Sequence, residues 1–242
     1  MLATMLILAC SVDSGGSATV PQPRDGGHAQ RHAHINAHIA DRAGEVDLVF
    51  VGDSITQGWE TTGKSVWSDF YGGRKAANLG ISGDRTEHVL WRLDNGNLRG
   101  IAPRVAVVMI GTNNIGHGIH GTDEVLAGVQ EVVKRIVSHN PDTRVLLLDI
   151  FPRGWTFNEA RGRITQINQA LATLHDGDRI VFLPIGHVFI EPDGRILPEI
   201  MPDALHLSEA GYRRWAEATP QLLSPKGGGY IIIILYAPGV FL

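Results

Sequence analysis

The sequence predicts an α/β fold, a doubly wound sandwich in which helices cover both faces of one parallel β-sheet. Three observations point there. Five short runs rich in branched apolar residues recur along the chain, at Leu48–Val51, Ala76–Leu79, Val105–Ile110, Val145–Ile150 and Ile180–Leu183. They are apolar nearly throughout rather than alternating, as strands buried on both faces are. Helical periodicity fills intervals between them, and residues 45–223 hold neither an internal repeat nor a linker rich in Pro, Gly or Ser. Such alternation is the pattern of a parallel sheet with crossover helices.

Taken in order, the first element is a docking helix near residues 28–39, with Ile35 and Ile39 on one face. It carries His28, His32, His34 and His38, two i,i+4 pairs whose spacing can hold a metal on a helix face. No acidic or thiolate ligand accompanies them, so docking is the preferred reading and no metal is expected. The first strand stops at Gly52 and meets Asp53 and Ser54. The clearest helix starts near Thr122, where Val125, Leu126, Val129, Val132, Val133, Ile136 and Val137 share a face. Asp123 and Glu124 lie in its first turn, where the helix dipole favours acids. Ile164, Ile167, Leu171 and Leu174 mark another helix, and a last one starts near Ser208.

Composition narrows the classes. A net charge of -4 gives no reason to expect nucleic acid as a partner. Cys10 is the single cysteine, so neither an intrachain disulfide nor a thiolate metal cage can form. No stretch in the body of the chain is apolar for long enough to span a bilayer. These features describe a soluble, single-domain enzyme or binding protein. The termini stand apart. Residues 1–27 read as a signal-like or flexible segment, with Ile7-Leu8-Ala9-Cys10 similar to a loose lipoprotein cleavage box but without a basic region before it. Export and a cytoplasmic location are both open. Residues 226–242 form an apolar extension, a glycine hinge followed by a β-prone run that needs pairing or burial. No role is assigned to it.

In an open α/β sheet, functional residues gather just past the carboxyl ends of the strands. Four polar, glycine-bearing turns fall there: Gly52-Asp-Ser, Gly80-Ile-Ser-Gly83, Gly111-Thr-Asn-Asn114 and Met201-Pro-Asp-Ala-Leu-His206. Taken alone, Ser54 has two readings, a nucleophile or the polar cap of the next helix. A serine nucleophile needs a base, and the base needs an orienting partner. Asp203 and His206 stand three apart, a spacing that lets the carboxylate reach Nδ1 of the same imidazole and leaves Nε2 for Ser54. His117 and His120 are rival bases, but neither has a carboxylate so placed. Acyl transfer also requires donors aimed at an oxyanion. The backbone N–H groups of Ser54 and Gly83 and the side-chain amide of Asn113 are candidates. Trp59, Trp67 and Trp155 belong to the core or to a substrate cleft, and Arg153 to the surface or the substrate. His187 and Asp193 have no fixed direction.

The G-x-S-x-G nucleophile elbow is absent. Gly52-Asp-Ser-Ile-Thr56, Gly83, Gly111-Thr-Asn-Asn114 and Asp203-Ala-Leu-His206 instead resemble the four ordered blocks of the SGNH, or GDSL-type, hydrolases. The longer stretches Asn78–Thr86, Val89–Leu93 and Phe151–Gly154 are similar to the catalytic subunits of brain platelet-activating-factor acetylhydrolase and their bacterial relatives. The resemblance covers roughly residues 30–223, which places a hydrolase domain at 28–225. It implies a three-layer α/β/α sandwich with a flavodoxin-like five-stranded sheet, and ester hydrolysis through an acyl-serine without metal or cofactor. Ser54, Asp203 and His206 would be catalytic, with Ser54, Gly83 and Asn113 forming the oxyanion hole. Ser54 is then expected to be the nucleophile and also to cap its helix. The expected partner is a small-molecule ester or an acetylated carbohydrate, with no stable membrane insertion; pairing as a homodimer is left open. The rival class is a carbohydrate-binding module that keeps the fold without turnover.

Overall fold

Five parallel strands build the sheet: β1 (Leu48–Gly52), β2 (Ala76–Asn78), β3 (Val105–Met109), β4 (Arg144–Leu148) and β5 (Ile180–Leu183), in the order β2-β1-β3-β4-β5. The computed structural model describes residues 17–219 and two short antiparallel strands, Pro225–Lys226 and Gly229–Tyr230. The signal-like stretch Met1–Cys10 and the run after Tyr230 lie outside the described residues. All five predicted strands are present. The apolar runs outlast the ladders by a residue or two: Leu79, Ile110 and Ile150 are buried beyond the strand ends. The turns at the carboxyl edge are themselves part of the interior.

Alternation along each strand divides the core between the two faces of the sheet. Val49 and Val51 point towards α1 (Gly27–Asp41), α4 (Thr86–Arg92), α6 (Thr122–His139) and α7 (Glu159–Ala172), where Ile39, Val89, Val129 and Ile167 are buried. Leu48 and Phe50 point the other way, towards Val66 of α3 (Lys64–Tyr71) and Trp215 of α8 (Glu209–Ala218). This second layer is aromatic, with Trp59 packed against Tyr212 and Trp215 at centroid separations of 4.5 and 5.0 Å. The result is the expected α/β/α sandwich. Its strand order changes direction around β1 and β3, and the crevice at such a switch point is where ligands bind in open sheets.

Residues 17–24, placed before the hydrolase domain on sequence grounds, pack against α4. Ala18 is buried and its carbonyl accepts from Thr86 Oγ1 at 2.8 Å, while Gln22 N donates to the Glu87 carbonyl at 3.0 Å. The attachment is made by backbone groups and by the Arg24 side chain on Asp84, and no apolar period announces it.

Candidate active site

Strand β1 delivers its polar turn through a glycine that cannot be replaced. A Cβ on Gly52 would stand 2.1 Å from Thr56 Oγ1 and 2.5 Å from the Met109 carbonyl oxygen. Asp53 follows, fully buried, and its Oδ1 accepts from Ile55 N at 3.0 Å, capping the short helix α2 (Ser54–Gln57). The expectation that Ser54 caps this helix is therefore corrected. Asp53 carries the longer acceptor and occupies the N-cap, and Ser54 is the first helical residue.

With the capping role taken, Ser54 Oγ lies 2.9 Å from His206 Nε2. His206 Nδ1 lies 2.6 Å from Asp203 Oδ2. The other oxygen of Asp203 accepts from Leu205 N at 3.0 Å and His206 N at 2.7 Å, so one carboxylate holds both the imidazole and the turn that carries it. Ala204 closes that turn at φ 57, in the left-handed region, at a cost of about 1 kcal/mol. A carboxylate can only accept, so Nδ1 carries the ring proton and the Nε2 lone pair faces the serine. Burial works to raise the Asp203 pKa, but the hydrogen bonds from the His206 ring and backbone outweigh it and hold the carboxyl below its usual range. The group stays charged opposite the imidazole.

Two contacts set the distance between these halves. Tyr212 of α8 donates its hydroxyl to the Ile55 carbonyl at 2.7 Å, tying the helix after His206 to the helix of Ser54. Gly154 N donates to the Ala204 carbonyl at 2.8 Å, anchoring the Asp203–His206 turn to the loop after β4.

The other two predicted positions lie on the segments that follow β2 and β3. Gly83 sits in the turn after β2 at φ +71, a conformation that glycine adopts without strain. Its neighbour Ser82 donates N–H to Gln57 Oε1 at 2.7 Å, binding the turn to α2. Asn113 lies on α5 (Thr112–Gly116), with Nδ2 donating to the Asp84 carbonyl at 2.8 Å and to Asp53 Oδ2 at 3.4 Å. The second bond is the longer and the weaker of the two.

Sequence reasoning missed the groups beneath this edge. Burial raises the Asp53 carboxyl to about 7, against the pull of the Ile55 N–H, and the charge of Asp84 adds to the rise. Asp84 is buried between Arg92, at 2.7 Å, and Arg24, at 2.9 Å. Asp53 was visible as part of the Gly-Asp-Ser run, but an arginine within the apolar stretch of α4 carries no signal of what it faces.

Other candidates have different surroundings. His117 stands 3.2 Å from Arg85 Nη1, and His120 is buried 3.1 Å from Asn114 Nδ2. Arg153 is tied to α5, donating to the Thr112 carbonyl at 2.9 Å. Trp59 is core, whereas Trp155 is exposed. Asp193 pairs with Arg195, and His187 Nδ1 lies 3.0 Å from the Pro184 carbonyl. Among the four N-terminal histidines, His32 packs on Trp91 and lies near Asn36 and Asn97.

The model of the GDSL-like lipase/acylhydrolase family matches residues 50–214. The chain belongs to that family. This acylhydrolase is 37% identical over 200 residues to human platelet-activating factor acetylhydrolase IB subunit alpha1, covering 82% of the chain and 84% of that protein. It is 36% identical over 180 residues to the bovine alpha2 subunit, covering 74% and 76%. A GDSL-like lipase from Bacteroides thetaiotaomicron has the same fold, with a TM-score of 0.67 at 22% identity over 80% of this chain and 96% of that one. The acylhydrolase is a carboxylic ester hydrolase. Among its described residues, no helix is long and apolar enough to cross a membrane.

Proposed function

We propose that this acylhydrolase removes acetyl and other short acyl groups from esters through an acyl-serine at Ser54. The observation that carries the proposal is the unbroken relay from Ser54 Oγ to His206 Nε2 at 2.9 Å and from His206 Nδ1 to Asp203 at 2.6 Å. His206 takes the serine proton as Oγ attacks the ester carbonyl, and Asp203 stabilises the imidazolium that forms. The carbonyl oxygen becomes an oxyanion and draws on Ser54 N–H, Gly83 N–H and the Asn113 amide. His206 then returns its proton to the departing alcohol. A water deprotonated by the same imidazole attacks the acyl-serine and releases the acid.

Similarity to proteins named as acetylhydrolases of platelet-activating factor supports the acetyl side of the reading and a phospholipid-type alcohol on the other side. Acetylated carbohydrate is the alternative alcohol. A rate series of nitrophenyl esters from two to twelve acyl carbons tests the acyl preference, with Ser54→Ala as the control. Rates should fall with chain length and vanish in the control. A maximum at long chains overturns the short-acyl reading, and a wild type no faster than Ser54→Ala overturns the serine mechanism.

A further inference from the structure

Arg92, the last residue of α4, lies in the interior with its guanidinium on four different residues. Nε donates to Asp84 Oδ2 at 2.7 Å, and Nη1 donates to the Leu79 carbonyl at 2.8 Å and to Asn97 Oδ1. Nη2 reaches the carbonyl of Gly52, two residues before Ser54, at 3.2 Å. One buried cation thus joins the end of the nucleophile strand, the start of the turn after β2 and the carboxylate beside Gly83. The same carboxylate is gripped from outside. Arg24 Nη1 donates to Asp84 Oδ1 at 2.9 Å and to the Ser82 carbonyl at 2.8 Å, straddling Gly83. A Cβ on Gly83 would lie 3.3 Å from the Arg24 guanidinium. The carbonyl of Asp84, finally, accepts the stronger of the two bonds from the Asn113 amide.

We propose that Arg24 and Arg92, joined through Asp84, are positioning residues that hold the Gly83 turn and the Asn113 amide in register with Ser54. The inference rests on the serine-esterase reading above and adds to it a segment before α1. A carboxylate held by one arginine can pivot, whereas one held from two sides fixes both its own carbonyl and the glycine before it. Arg24 is partly exposed and reaches the turn from residues 17–24, so that segment helps to position the site.

The test uses Arg24, whose replacement leaves the buried Arg92–Asp84 pair intact. A displacement of about 1 Å at a reacting centre costs on the order of 10²-fold in rate. With nitrophenyl acetate, Arg24→Gln should lose about ten- to a hundredfold in kcat with KM unchanged, and Arg24→Lys should recover part of the loss. The pH–rate profile should keep its shape, because the Ser54–His206–Asp203 contacts are untouched. The deciding measurement is a double-mutant cycle with Asn113→Ala. If Arg24 acts through the oxyanion corner, Arg24→Gln should cost little more once the Asn113 amide is gone. A full, additive loss in the Asn113→Ala background overturns the inference, and so does wild-type kcat in Arg24→Gln. In both cases a wild type that outpaces Ser54→Ala leaves the esterase reading standing. A wild type that does not outpace it removes that reading and the inference together.

Discussion

Asp53 should make the protein less stable as the solution becomes more alkaline, and Asp53→Asn should remove that part of the dependence. The carboxyl titrates near 7 in the folded chain because burial disfavours its charge, against an ordinary value of 3.8. Between those values the folded chain holds a proton that the unfolded chain has released, so the unfolding free energy falls as pH rises. No penalty exists below the unfolded value, and the whole of it is present above the folded one. For this single group the loss between pH 5 and pH 8 is about 2–3 kcal/mol. The asparagine keeps an oxygen for Ile55 N but turns an amide towards the Asn113 amide, a donor facing a donor. That clash is the same at every pH, so it shifts the curve without changing its slope. Asp149, also raised to about 7 by burial against hydrogen bonds from Gly186 and Ile185, adds a slope of the same sign to both proteins and cancels in the difference. Urea unfolding of wild type and variant at pH 5, 6, 7 and 8 isolates the effect. Stability differences that run parallel across this range would refute the reasoning.

Two further outcomes follow from the site. Asp203→Asn should leave the fold intact and lower kcat by about 10⁴, because the amide no longer holds the imidazole in the required tautomer; circular dichroism and nitrophenyl acetate turnover measure the two parts. Asn113→Ala should cost roughly 10²–10³ in kcat, and a rate near that of wild type would remove its amide from the oxyanion hole.

The sheet was legible because β1, β3 and β4 are buried on both faces and so appear as unbroken apolar runs, and because β5, half-buried at the sheet edge, is apolar throughout. β2 was legible through its alanines, although it forms only a three-residue ladder. Serine, histidine and aspartate could be singled out because the strand ends order them and the Asp203–His206 spacing is local. The segment before α1 was not legible, because it is held by carbonyls and by Arg24 rather than by a periodic face. Asp84 and Arg92 escaped for a related reason. Their pairing spans eight residues that include a turn and a short helix, and a charge inside an apolar stretch does not show which opposite charge it meets. The capping assignment failed at a finer scale: Asp53 and Ser54 are both good caps, and only the backbone decides which of two neighbours stands at the helix entrance.

The turn from Asp203 to His206 is both the most exposed part of the relay and the most self-contained. Its carboxylate and its imidazole are fastened to each other within four residues, while Ser54 opens α2 and the Asn113 amide is held by the Asp84 carbonyl. A displacement of this surface turn therefore carries carboxylate and imidazole together, their mutual geometry intact, and parts both the Gly154–Ala204 bond and the gap to Ser54. Heat should accordingly silence the enzyme before it melts the protein, and cooling should restore it without refolding.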